Sequence, residues 1–215
     1  MAKKAIVIGA TGLIGSHLVE QLAQEKSIGE IVALTRRPLS FSHPKVRNEQ
    51  VDFEHLEEYA DLFHGDLLFS CLGTTKKQAG GLEQQFKVDV EYQFRAAQLA
   101  ADNGVAHYLL VSSSGANTKS NSAYLRMKGE LEQKILSLPF ARISIFRPSL
   151  LIGKRADLRP AEKIGAIILP WVCRLPGLHR YRPITGSQVA EKMVAVCEKA
   201  GTGVETFTLD ELFYT

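Results

Sequence analysis

Three glycines, Gly9, Gly12 and Gly15, stand between the apolar run Ala5-Ile6-Val7-Ile8 and a segment whose apolar residues recur at helical spacing. A strand that ends in a glycine-rich turn and feeds a helix aims backbone N–H groups at one point, a setting that suits a phosphate. Gly9 permits the tight turn, Gly12 the close approach of a pyrophosphate, and Gly15 the packing of helix on strand. Three glycines alone can mean no more than a turn. Their place directly after an apolar run makes Gly9-Ala10-Thr11-Gly12-Leu13-Ile14-Gly15 a candidate dinucleotide loop, one residue longer than the commonest G-x-G-x-x-G form.

The rest of the chain keeps the same rhythm. Apolar runs at Lys4–Ile8, Glu30–Thr35, Arg47–Val51, Asp66–Cys71, His107–Ser112 and Arg142–Phe146, with a weaker one at Thr206–Leu209, predict strands buried on both faces. Leu13–Gln24, Gln84–Asp102 and Ser122–Leu138 predict helices; Asn103-Gly104 stops the second and Pro139 the third. This alternation implies an α/β fold with a doubly wound parallel sheet. With 215 residues, 45% of them hydrophobic, the chain can bury a core as one domain, 1–215, without disulfide or metal.

Composition removes several function classes. A net charge of +3 does not point to nucleic acid. The longest apolar stretch after the strands, Ile164–Cys173, is short and broken by Pro170, so no transmembrane segment is expected. Cys71, Cys173 and Cys197 are too far apart for a metal site or a disulfide framework, and the six histidines show no metal spacing. A reducing, cytoplasmic setting is the expectation.

Beyond the loop, the end of the second strand bears on which dinucleotide fits. An NAD-binding chain usually places Asp or Glu about 20 residues on, against the ribose hydroxyls. Here the chain reads Leu34-Thr35-Arg36-Arg37, and two guanidiniums can clamp the 2′-phosphate of NADPH. An arginine dipeptide can also be a solvated loop pair, and both readings stand.

A second constellation follows the fifth strand. In Tyr124-Leu125-Arg126-Met127-Lys128, residues i and i+4 share a helical face, and an ammonium beside a phenol stabilises the phenolate. Tyr124 could then exchange a proton with a carbonyl or hydroxyl oxygen while Lys128 holds ribose hydroxyls. Such a pair alone is common on protein surfaces. Ser112-Ser113-Ser114 at the strand end, with Ser113 eleven residues before Tyr124, supplies hydroxyls for the same oxygen.

Taken together, Gly9–Gly15, Thr35-Arg36-Arg37, Cys71-Leu72-Gly73-Thr74-Thr75, Ser112-Ser113, Tyr124 with Lys128, and Phe146-Arg147-Pro148 resemble the short-chain dehydrogenases/reductases of the extended or atypical kind. They are closest to the small subgroup that contains the human Tat-interacting oxidoreductase-like protein and its bacterial relatives. The resemblance covers residues 5 to about 153 and implies a Rossmann-type sheet. It implies that Thr11, Leu13 and Ile14 lie with the glycines against the cofactor, and that Arg36 contacts the 2′-phosphate. It further implies that Asp52 and Phe53 flank adenine, that Cys71, Leu72 and Gly73 edge the ribose, and that Pro148 turns against the nicotinamide. Ser113, Tyr124 and Lys128 take the catalytic positions. Asp89 stands where the family often has Asn, so an Asn-dependent proton relay does not carry over. The C-terminal part is shorter than in nucleotide-sugar epimerases, which argues against a large sugar-nucleotide pocket.

After Gly153 the rhythm breaks. Lys154–Arg182 mixes prolines, arginines and Trp171, and is expected to form a small C-terminal substrate cap favouring an anionic or amphipathic ligand. The same apolar residues could instead pack on the sheet or form a homodimer contact. The expected function is an NADPH-dependent oxidoreductase acting on a small carbonyl or hydroxyl substrate. A non-catalytic NADPH-sensing regulator and an NAD(P)-dependent epimerase or isomerase are the alternatives, since a fold does not dictate its use.

Overall fold

A computed structural model of the protein describes residues 2–153 and 182–213. The expected cap at Lys154–Arg182 therefore lies, except for Arg182, outside the described residues.

Seven strands form one parallel sheet: β1 (Lys3–Ile8), β2 (Ile28–Thr35), β3 (Val46–Gln50), β4 (Leu67–Ser70), β5 (His107–Val111), β6 (Arg142–Arg147) and β9 (Gly203–Thr208). Their order in space is β3-β2-β1-β4-β5-β6-β9, and every neighbouring pair is parallel. A two-residue pair, β7 (Leu151–Ile152) with β8 (Ile184–Thr185), sits apart. The strand expectations hold to within a few residues at each end. The doubly wound sheet is as read from the alternation.

The central strands are apolar on consecutive positions because both faces are covered; the expected burial does not hold for the edge strands β3 and β9, which are polar and only partly buried. In β1, Ala5 and Val7 join a core with helix α1 (Gly15–Gln24) and helix α6 (Gly186–Glu198). Ile6 and Ile8 join the opposite core, under α4 (Tyr92–Asp102) and α5 (Ala123–Ile135). All four of these β1 residues are fully buried, and Ile6, Val7 and Ile8 each contribute roughly 1.5–3 kcal/mol relative to exposure. Ala96, Ala97 and Ala100 are the small residues that let α4 lie close on the sheet.

Helix α6 is absent from the sequence expectation. It starts with a capping box, in which the Thr185 hydroxyl accepts from the Gln188 backbone N–H and the Gln188 side chain accepts from that of Thr185. The single helix expected over Gln84–Asp102 is in fact three pieces: α3 (Leu82–Phe86), a π turn (Lys87–Glu91) and α4; the short α2 (Lys76–Ala79) precedes them. The buried Gln93 side chain donates to the backbone carbonyls of Asp89, at 2.9 Å, and Val88, which widens the helix there.

Candidate functional site

The order of strands reverses between β1 and β4, and the crevice at their carboxyl ends is where doubly wound folds take ligands. Gly9 occupies that point with φ +79°, a left-handed conformation that suits glycine. A Cβ on Gly9 would lie 2.5 Å from the Cys71 carbonyl, because the end of β4 crosses directly over the turn. The Cys71 N–H continues the pairing by donating to Ile8 O at 2.9 Å. Gly15 is the packing glycine: its Cβ would lie 2.2 Å from Gly9 O. Gly12 faces the crevice, where a Cβ would meet Gly9 O at 3.3 Å and Cys71 O at 3.8 Å.

From this point a cleft of about 680 Å³ runs along the sheet edge, large enough for much of a dinucleotide. Of the residues assigned to cofactor, Gly9, Thr11, Gly12, Arg36, Asp52, Phe53, Cys71, Leu72 and Gly73 line it. Ile14 and Gly15 are buried beneath the loop, and Leu13 fills the space beside Gly153 and Gly186. Arg37 is exposed away from the cleft wall, and its carbonyl accepts from the Thr35 hydroxyl at 2.7 Å. Pro148 is further along the edge, where its carbonyl accepts from Ser114 N–H at 2.9 Å. Bare glycine backbone at a helix start and a cation at the end of β2, with no β2-end carboxylate, fit a dinucleotide. Such a group, when bound, supplies or takes hydride.

The wall formed by β4 is held from below. Asp89 is fully buried; one carboxylate oxygen accepts from Thr74 N–H at 3.0 Å and the other from the Gln85 amide at 3.1 Å. Gln85 also donates to Thr74 O at 3.3 Å, so both backbone groups of Thr74 are held by side chains. Asp89 thus has a mechanical occupation where the family often has Asn. Cys71 lies half-buried in the same wall, and burial pushes its thiol up to about 12 against the pull of the nearby Lys128 ammonium. The thiol stays protonated at neutral pH and is a packing group.

Lys128, on α5, is buried, with only 3% of the residue exposed. Tyr124, one turn earlier on α5, remains exposed. The three serines separate cleanly. Ser112 is buried and donates to Glu132 at 2.5 Å, whereas the Ser113 hydroxyl finds only Ser114 O at 3.5 Å and is free for another partner among the described residues. Glu132, one turn beyond Lys128, also receives Arg147 through Nε at 2.9 Å and Nη2 at 2.5 Å. One buried carboxylate therefore ties the ends of β5 and β6 to α5. The loop between β5 and α5 rests on Gly129, where a Cβ would lie 2.5 Å from the Asn117–Thr118 peptide.

Three charged or hydrogen-bonding residues of the cleft were not singled out in the sequence: Glu54, Lys87 and Tyr92. The Tyr92 hydroxyl donates to Glu54, and this bond holds the Glu54 carboxyl below its usual range. Lys87 Nζ lies 3.5 Å from the same carboxylate oxygen. Glu54 comes from the helical turn after β3, Lys87 from the π turn and Tyr92 from the start of α4, so Glu54 stands 33 or more positions from the other two and no local pattern links them.

A glycine turn at the switch point of a parallel sheet, opening on a cleft of this shape, defines a dinucleotide-binding Rossmann protein. The NAD(P)H-binding family model matches residues 9–137. Protein HTATIP2 of Rattus norvegicus is 39% identical over 164 residues, 74% of this chain and 67% of the relative. Protein FMP52, mitochondrial, of Eremothecium gossypii is 38% identical over 202 residues, 89% of this chain and 87% of the relative. The chain belongs to this NAD(P)H-binding family, among the relatives of HTATIP2 and FMP52. Among solved structures, MoeE5 in complex with UDP-glucuronic acid and NAD superposes with a TM-score of 0.72 at 18% identity, covering 96% of this chain and 76% of that one. UDP-glucose 4-epimerase of Thermotoga maritima superposes at 0.69 with 17% identity, covering 95% and 76%. At such identities the likeness is one of fold.

One expectation is corrected by these relatives. The cytoplasmic setting was inferred from cysteine usage, yet the FMP52 proteins of Eremothecium gossypii and Emericella nidulans are named as mitochondrial. Unpaired, scattered cysteines speak for a reducing setting and do not single out a compartment. Among the described residues no helix is long and apolar enough to cross a membrane.

Proposed function

We propose that the protein is an NADP(H)-dependent enzyme that moves hydride at a carbinol or carbonyl carbon, with Tyr124 passing the proton of the substrate oxygen. The observation that carries this reading is the buried Lys128 on α5, one helical turn from an exposed Tyr124. A buried ammonium is costly unless it serves a partner, and here the cofactor ribose and the Tyr124 phenol are both in line for it. Ser113, its hydroxyl uncommitted, donates to the substrate oxygen; Pro148, fixed by Ser114 N–H, marks the nicotinamide end. Arg36, with no carboxylate partner among the described residues, supports NADPH over NADH.

This chemistry has two outcomes. Hydride can leave with a reduced product, as in the oxidoreductase expected from sequence, or return to the same carbon, as in an epimerase or isomerase. The fold comparisons favour the second, because the superposing structures include UDP-sugar epimerases and a UDP-sugar complex with NAD. Purified protein incubated with NADPH and a carbonyl panel, and separately with NADP and UDP-sugars, distinguishes them. Net loss of nicotinamide absorbance marks a reductase; a changed sugar stereocentre without net cofactor turnover marks an epimerase. In either case Tyr124→Phe should cut turnover by about 10²–10⁴-fold while sparing cofactor affinity. Undiminished turnover in that variant removes Tyr124 from the mechanism.

A further inference from the structure

We infer that Lys87 is a second cation for the 2′-phosphate of the cofactor, reaching it from the π turn between α3 and α4. The inference rests on the NADPH reading above and adds the residue that completes the phosphate site.

Arg36 stands at the carboxyl end of β2, and Lys87 opens the π turn between α3 and α4; both line the one cleft. Two carboxylates line the same cleft. Asp52 caps the helical turn after β3 by accepting from Glu54 N–H at 2.9 Å, and Glu54 follows two residues later. A phosphate beside Arg36 would therefore meet one guanidinium and two carboxylates. By charge alone such a wall repels it. The balance changes if Glu54 is held back and Lys87 comes forward.

The contacts around Glu54 are arranged for that exchange. Tyr92 donates to Glu54 and is itself fixed by Phe53, with ring centroids 5.7 Å apart. Glu54 keeps this partner when Lys87 leaves. The Lys87–Glu54 pair, at 3.5 Å, has side chains 36% and 51% exposed, and ion pairs so exposed are weak. A dianionic phosphate is the stronger partner for the ammonium, and a flexible four-carbon stem lets it move. Arg36, Lys87, Glu54 and Tyr92 all line the one cleft, so both cations face the space a bound cofactor would fill. NADH offers no 2′-phosphate, so Lys87 stays on Glu54 when NADH binds.

Calorimetric titration of NADPH and NADH into the wild-type protein and into Lys87→Ala, Lys87→Arg, Arg36→Ala and Glu54→Gln tests this. Lys87→Ala should weaken NADPH about tenfold, the scale of one charge-assisted contact, and leave NADH within about twofold. Lys87→Arg should restore most of the loss. Glu54→Gln should tighten NADPH, and the gain should shrink when Lys87→Ala is also present, because the freed ammonium is then missing. Unchanged NADPH affinity in Lys87→Ala, in a wild type that prefers NADPH, overturns the assignment while leaving the NADPH reading intact. An equal loss for both cofactors also overturns it, by moving Lys87 to the diphosphate. A wild type with no preference for NADPH fails at Arg36 as well, and takes the NADPH reading down with it.

Discussion

Gly12 and Gly15 look alike in sequence and do different jobs. A methyl group on Gly15 would press into the Gly9 carbonyl at 2.2 Å, with backbone on both sides and nothing flexible to yield. Gly15→Ala should therefore lose about 2–3 kcal/mol of stability, measured by urea unfolding. A methyl on Gly12 meets backbone only at 3.3 Å and otherwise projects into the cleft. Gly12→Ala should stay within about 1 kcal/mol of wild type yet bind NADPH at least tenfold more weakly. If the two variants show the same balance of stability and affinity loss, the division between packing and binding glycine is wrong. Arg36 and Arg37 divide in a similar way, one in the cleft and one outside it. That split was not legible in the dipeptide, because it depends on which way the chain leaves β2, and there the Thr35 hydroxyl caps the Arg37 carbonyl.

Among the elements, α5 carries Tyr124 and Lys128 and is set in place by Glu132. Replacing this buried carboxylate with leucine leaves the Ser112 hydroxyl and the Arg147 guanidinium without their acceptor. The loss should be about 2–4 kcal/mol, less than for a wholly buried pair because the Arg147 side chain is 31% exposed. Glu132→Gln, which keeps an acceptor oxygen, should lose less than Glu132→Leu in thermal unfolding. Equal stability of Glu132→Leu and wild type would show that the clamp is idle. The motif Phe146-Arg147-Pro148, read from sequence only as part of a family resemblance, acquires a physical reason here: Arg147 bonds Glu132, and Pro148 receives Ser114. The broken helix before α4 was invisible for the opposite reason. Its apolar period runs on through Lys87–Glu91, and only the long-range demands of Thr74 and Ser70 on Asp89 and Gln93 open the turn.

At the scale of the whole molecule, the end of the sheet away from the cleft is closed by a buried polar chain. The Ser144 hydroxyl donates to Glu205 at 2.6 Å, so His107 Nε2 must donate to Ser144 Oγ at 2.7 Å, and His107 is held neutral in that tautomer. Arg142 bonds Glu205 at 2.8 Å and the carbonyls of Val196 and Lys199, which joins β6, β9 and α6. Burial, reinforced by Arg142 and Lys3, pushes the His107 imidazole down to about 3. Because the unfolded chain binds a proton there near pH 6.5 and the folded one resists it, the contribution is whole above about 6.5 and is lost as pH falls toward 3. Stability should fall by up to about 1.4 kcal/mol per pH unit across that window, and His107→Gln should flatten the profile. A profile between pH 6.5 and 3 that is identical in the two proteins would show that His107 does not link folding to protons.

What the amino-acid sequence determined by itself is what neighbouring residues encode: apolar runs buried on both faces, the glycine turn after β1, the cation at the end of β2, and the i, i+4 pair on α5. Each follows from backbone sterics or from strand and helix periodicity, and each reads the same in isolation as in the folded chain. The tertiary structure alone decided which of those residues share a space. It brought Glu54, Lys87 and Tyr92 to one cleft, committed Ser112 to Glu132 while leaving Ser113, among the described residues, only a long contact with Ser114 O, and made Asp89 a strut under Thr74. The physical reason is that burial and charge are properties of a place in the fold, set by strands and helices that meet only after the sheet reverses its order between β1 and β4.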